Sequence, residues 1–111
     1  RRGDPLSVCD AIENFGNNVL GGRGQWLKVA GEGKAGILTS AVRAGPPGGM
    51  VLEIGAYCGY SSTRMAMAVP GAHIATLEVD PVHVVIARNV LLFAGLQAEV
   101  DVWTGHSKDL L

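Results

Sequence analysis

A chain of 111 residues has room for one small domain or a piece of one. Nine basic residues against ten acidic ones leave a formal net charge of −1. So small an imbalance excludes the electrostatic footprint of a general nucleic-acid binder or of a protein held on an anionic membrane. The apolar share, 48%, is ordinary for a globular interior. Arg64, Glu78 and Arg88 interrupt each apolar run before it reaches the ~18 residues that span a bilayer. Cys9 and Cys58 are too few and too far apart for a zinc cluster or a disulfide framework, so reduced thiols in a reducing intracellular compartment are expected. No signal peptide opens the chain, and it begins Arg1-Arg2 rather than with methionine. A start farther upstream, or processing, is therefore expected.

Asp4-Pro5 predicts a helix start, an N-cap side chain followed by a proline in the first turn. Val8, Ile12, Phe15 and Val19 follow at helical spacing as one apolar stripe, which Gly21 to Gly24 end. A Gly-rich segment with Trp26 as its large anchor runs to Gly36. Ile37, Leu38, Ala41 and Val42 then suit a short helix closed by Gly45-Pro46-Pro47-Gly48-Gly49.

From residue 50 the pattern changes. Met50 to Ile54 reads as a short buried strand, and Ser61 can cap a helix carrying Met65, Ala66 and Val69. Pro70-Gly71 turns the chain into a strand from Ile74 to Val79. Asp80-Pro81 opens a helix with Val82, Val85, Ile86, Val90 and Phe93 inward, ended by Gly95. Val100 to Trp103 is a third strand, and a last helix begins near Ser107. Three alternations of strand and helix predict an α/β fold, a parallel sheet with helices on its faces. The chain divides into residues 1–49, helices and a Gly-rich segment, and residues 50–111, a βαβαβ half-domain.

In such a sheet, ligands sit beyond the carboxyl ends of the strands. The loop after the first strand reads Glu53-Ile54-Gly55-Ala56-Tyr57-Cys58-Gly59-Tyr60-Ser61. A dinucleotide fingerprint needs a second glycine two residues after the first, so that backbone can touch the pyrophosphate. Tyr57 stands there instead, which argues against NAD and for a ligand without a diphosphate. Glu78, at the end of the second strand, can accept hydrogen bonds from a ribose diol. The two together favour S-adenosylmethionine, a nucleoside cation with no phosphate.

Leu52-Glu-Ile-Gly-Ala-Tyr-Cys-Gly-Tyr-Ser61 resembles the cofactor loop of the catechol O-methyltransferase family. Arg64-Met65-Ala66, Pro70-Gly71-Ala72, Leu77-Glu78 and Pro81 extend the likeness, with Ser7-Val8 and Ala11-Ile12 before them and Gly105 and Ser107 after. The resemblance implies a Rossmann-like class I methyltransferase fold, present as an incomplete half of about three strands with helices on both faces. It implies that Gly55 and Tyr57 line the methionine end of S-adenosylmethionine, with the Ser61 hydroxyl bonded to it. Glu53 would face the cofactor from the strand end, Glu78 would hold the ribose, and Ser107 would sit at the adenine edge. Trp26 aligns with the tryptophan of that family's lid, which places the Ala30 amide at the cofactor carboxylate. Lys28 and Lys108 depart from that family's apolar and neutral residues at their positions, and one extra residue falls around Gly33 to Gly36.

Catalysis in the resembling family depends on magnesium, held by two aspartates and an asparagine after the fourth strand, and on a lysine base. The 111 residues contain no counterpart, so no residue here is assigned catalysis, and magnesium is expected only with that further half. Transfer to a catechol by these residues alone is not expected. Asp80, Asp101 and Asp109, and His73, His83 and His106, show no metal spacing and read as solvated or capping residues. Cys58 reads as a buried thiol, Tyr60 and Met65 as core, and Glu53 equally as a carboxylate that merely organises the loop. A central strand left at an open edge invites pairing, so chain continuation or a protein partner is expected to cover it. Two functions follow: a catechol-type O-methyltransferase acting on a phenolic hydroxyl, seen in its cofactor-binding portion, or a non-catalytic methyltransferase-like subunit of an assembly.

Overall fold

The computed structural model describes residues 1–23, 33–46 and 48–110. Helix α1, Pro5–Asn14, starts where Asp4 accepts a hydrogen bond from the Ser7 amide at 3.4 Å, with proline in the first turn. It buries Val8 and Cys9. The expected stripe does not continue beyond Ile12. From Phe15 to Leu20 the chain winds as a π-helix, then as a 3₁₀ turn over Gly21–Arg23. Wider winding rotates residues spaced for 3.6 per turn off their common face, and Phe15 and Val19 are exposed. Helix α2, Gly33–Arg43, packs Leu38 and Val42 against the core, while Ile37 points outward.

Strands β1, Val51–Ile54, β2, Ile74–Glu78, and β3, Val100–Thr104, form a parallel sheet in the order β1-β2-β3. Between them run α3, Tyr60–Ala68, and α4, Pro81–Phe93, and α5, Ser107–Leu110, follows β3. The register pairs Val51 with Ile74 and Ile74 with Val100, and pairs Glu53 with Thr76 and Thr76 with Val102. Successive side chains of a strand point to opposite faces, so these residues share one face. There α3 and α4 cover them, in a core of Met65, Ala66, Ile74, Val84, Ala87, Leu91, Val100 and Val102. The opposite face carries Leu52 and Ile54, 50% and 64% exposed, and Trp103. The reading of β1 as a buried strand is therefore corrected: only its α3-facing side has cover. Among the described residues β1 pairs with β2 alone and stands at the sheet edge.

Ser61 does not cap α3. The cap position is Gly59, with φ +81° and no side-chain hydrogen bond, and Ser61 lies within the first turn. Asp80 does cap α4, accepting from the Val82 amide at 2.9 Å, ahead of Pro81. The inward residues of α4 are Val84, Ala87 and Leu91, not the Val82, Val85, Ile86, Val90 and Phe93 expected; all of those but half-buried Val90 are exposed. Most sides of this helix are apolar, so periodicity alone does not choose a face. Close approach chooses it. A Cβ on Gly59 would lie 3.3 Å from the Ala87 carbonyl oxygen, a fit that needs small residues on both sides. Gly59→Ala combines that contact with a left-handed backbone and should lower stability by ~1–2 kcal/mol. Urea denaturation would measure the loss, and an unchanged midpoint would refute the close-packing account.

Gly95, at φ +79°, ends α4, and the Leu96 amide donates back to the Leu91 carbonyl at 2.9 Å. No helix among the described residues is long and apolar enough to cross a membrane.

Candidate functional site

The loop that follows β1 hangs from the end of β2 through three consecutive amides. Gly55 and Ala56 donate to the Leu77 carbonyl at 2.7 and 3.2 Å, and Tyr57 donates to Glu78 Oε1 at 2.9 Å. Tyr57 sits at φ +50°, the one non-glycine residue in the left-handed region among those described. A side chain there costs on the order of 1–2 kcal/mol, so the Glu78 bond and a ring contact with His83 hold it in place. This is the position where a dinucleotide fold would have glycine. Gly55, at φ +94°, has no atom within 4 Å of where its Cβ would stand, which leaves open space beside its backbone.

Glu78 is 7% exposed, yet both its oxygens are engaged. Oε1 accepts from Tyr57, and Oε2 accepts from the Asp80 amide at 3.0 Å, with His83 Nδ1 3.7 Å away. Burial pushes its pKa up, but the Asp80 and Tyr57 amides and the nearby His83 outweigh it, and the net value falls below the ordinary 4.5. A carboxylate offers about four lone-pair sites, so an anionic Glu78 retains acceptor capacity for a diol.

Glu53 has a separate set of partners. Its Oε1 accepts from the Ser62 hydroxyl at 2.6 Å and the Thr76 hydroxyl at 2.7 Å, both side chains fully buried. Burial raises its pKa, against the two hydroxyls that lower it. Of the two readings for Glu53, these bonds are those of a carboxylate that ties α3 to β2 beneath the loop. The Ser61 hydroxyl makes no hydrogen bond among the described residues. Ser107 opens α5, just past β3, whose following Gly105 amide donates to the Glu78 carbonyl at 2.9 Å. Glu53, Gly55, Tyr57 and Glu78 thus meet at the carboxyl ends of β1 and β2, with Ser61 and Ser107 on the flanking helix starts. Ala30, with Trp26 and Lys28, lies outside the described residues.

Ser62, Thr76 and His83 were not singled out as site residues from sequence. Thr76 carried a findable signal, a polar residue between the apolar Ile74, Ala75 and Leu77 of its strand. His83 stands three residues after the Asp80 cap and meets Tyr57 edge-on, with ring centroids 5.0 Å apart. Tyr57, Cys58 and His83 also border a cavity of about 470 Å³, bounded by Ile12 of α1, Phe15 of the π-helical turn and Val90 of α4. Burial pushes the Cys58 thiol up, and the fully buried Cys9 to about 11, so neither is a ready nucleophile at neutral pH. Tyr60 and Met65 are core residues as expected. Arg64 joins α3 to α1, 3.1 Å from Glu13 and 3.0 Å from the Tyr60 hydroxyl. Among the described residues no group of three His, Cys, Asp or Glu could hold a metal ion.

Comparisons with known proteins bear on the family and the fold. The mouse protein named Catechol O-methyltransferase is 40% identical over 98% of this chain, which spans 39% of the relative. Zebrafish Catechol O-methyltransferase B is 42% identical over 97% of the chain, again 39% of the relative. An O-methyltransferase from Bacillus cereus, solved in complex with SAH, superposes with a TM-score of 0.73 at 26% identity, over 94% of this chain and 46% of that one. A putative O-methyltransferase from Klebsiella pneumoniae gives 0.74 at 27%, over 93% and 45%. The chain thus spans less than half the length of the relatives it matches. A sequence profile described as O-methyltransferase matches residues 42–111, and on that match the chain belongs to the O-methyltransferase family.

Proposed function

We propose that this chain is the S-adenosylmethionine-binding portion of a catechol-type O-methyltransferase acting on a phenolic hydroxyl. One observation carries the reading: Tyr57 takes the left-handed position after Gly55 and donates its amide to Glu78. That closes the space a pyrophosphate would need and leaves a buried carboxylate for a diol. The open side of Gly55 leaves room for a ligand to approach the backbone, and the uncommitted Ser61 hydroxyl could donate to it. Glu78 would hold the ribose, Gly55 and Tyr57 the methionine end, Ser107 the adenine edge and the Ala30 amide the carboxylate. Glu53 would act through Ser62 and Thr76, setting the height of the loop. When bound, the cofactor supplies a methyl group on a sulfonium, transferred by direct displacement that the protein promotes by alignment.

The names of the mouse and zebrafish relatives support the catechol class, and the SAH complex of the Bacillus cereus protein supports the cofactor. A magnesium ion of the kind used in the resembling family would take its ligands from outside the described residues. The exposed face of Leu52, Ile54 and Trp103, with the β1 edge, calls for cover by further protein surface. No feature of the loop favours the non-catalytic alternative. Calorimetric titration should show S-adenosylmethionine and S-adenosylhomocysteine binding, with NADH binding neither measurably nor in competition. Tighter binding of NADH would overturn the assignment.

A further inference from the structure

His83 has no role in the reading above, and its surroundings give it one. It stands in the first turn of α4, a third exposed, with its Nδ1 3.7 Å from Glu78 Oε2 and 3.8 Å from Asp80 Oδ2. On its other side the ring meets Tyr57 edge-on at 5.0 Å and 86°. The same imidazole therefore touches both groups that define the proposed nucleoside site: the carboxylate that would hold the diol and the strained residue whose amide orients that carboxylate. The groups facing it are Glu78 from β2, Asp80 from the turn, and Tyr57 and Cys58 from the loop, with Arg1 across the shared cavity. Arg1 is itself 3.6 Å from Asp4, and the Cys58 thiol is neutral. Two carboxylates thus form the charged environment nearest the ring.

We propose that His83 is a positioning residue for the nucleoside site, holding the Tyr57 ring in place when neutral and drawing Glu78 Oε2 away from a ligand diol when protonated. This rests on the function proposed above. Oε2 already accepts from the Asp80 amide, so one lone-pair site remains on that oxygen. A neutral imidazole 3.7 Å away competes for it weakly. An imidazolium facing two carboxylates would close that gap and take the site as a charge-assisted hydrogen bond. The Asp80 and Tyr57 amides already favour the Glu78 anion, so protonation of His83 is not needed to keep it ionised. Its effect is competition alone. Histidine is the side chain that changes charge between about pH 5 and 8, so ligand affinity should follow pH across that range.

The test is calorimetric titration of the full chain with S-adenosylhomocysteine and, separately, S-adenosylmethionine, at about pH 8 and about pH 5.5, with circular dichroism at both. Affinity for both ligands should fall roughly three- to tenfold on acidification, less than the full value of a charge-assisted bond because the histidine is partly exposed. In His83→Phe the ring contact with Tyr57 remains and the titration is gone, so affinity at about pH 8 should persist and the fall should vanish. In His83→Gln the fall should also vanish, with weaker binding at about pH 8 because the ring contact is lost. A fall that persists in both variants overturns the role of His83 and leaves the cofactor reading intact. A fall for S-adenosylmethionine alone would mean repulsion of the sulfonium, and would overturn competition for Glu78. Absence of binding by the wild type at about pH 8 would refute the proposed function, and this inference with it.

Discussion

Glu78→Ala should weaken S-adenosylmethionine binding by ~1.5–3 kcal/mol, the range for hydrogen bonds to a charged group. Two losses combine. The diol loses its buried acceptor, and the amides of Tyr57 and Asp80 lose the oxygens that hold them at 2.9 and 3.0 Å. Tyr57 would then keep its left-handed conformation against an intrinsic cost with only the His83 ring in support. Glu78→Gln separates charge from shape. It retains one carbonyl acceptor, but its NH₂ would face one of two amide donors, so part of the loss should remain. Calorimetric titration of the three proteins, each checked for folding, measures the effect. Equal affinities would remove Glu78 from the site.

Glu53→Ala should destabilise the fold by about 2–4 kcal/mol, because the hydroxyls of Ser62 and Thr76, both wholly buried, would lose their shared acceptor. Glu53→Gln keeps a carbonyl oxygen for those hydroxyls and should stay close to the wild type. The pH dependence distinguishes charge from hydrogen bonding. Burial raises the Glu53 pKa, so the folded state binds its proton more readily than the unfolded one. Its ionisation therefore costs stability, a cost absent below the ordinary 4.5 and complete once pH has risen past the raised value. Glu78 has the opposite sign. Its lowered pKa contributes stability that is present above 4.5 and lost as pH falls through the folded value. Urea denaturation across this window should show Glu53→Gln removing a decline on the rising side, and Glu78→Gln removing a loss on the acid side. A Glu53→Ala variant as stable as the wild type would show that the two hydroxyls find other partners.

The parallel sheet and its connecting helices were legible because their punctuation is local. Asp4-Pro5 and Asp80-Pro81 start helices through an adjacent side chain and a fixed φ, and both caps form as read. Pro70-Gly71 and Gly95 end elements for equally local reasons. The loop from Glu53 to Ser61 was legible as the turn out of the first strand, since Gly55 and Gly59 supply the positive φ it needs. What the sequence left open depends on contacts between distant residues. Which side of α4 faces the sheet was decided by the need of Ala87 to lie against Gly59, a preference invisible in a helix apolar on most sides. The burial of β1 depended on which sheet face the described helices cover, and its alternating residues divide between a packed side and a bare one. Glu53 was read with two roles open, and only folding brought Ser62 from α3 and Thr76 from β2 onto one of its oxygens. His83, which spacing marked as an ordinary surface histidine, gained its place because the cap at Asp80 starts a helix whose first turn lies over the end of β2. Local chemistry determines where elements begin and end, whereas the partner of a buried polar atom is fixed by packing between them.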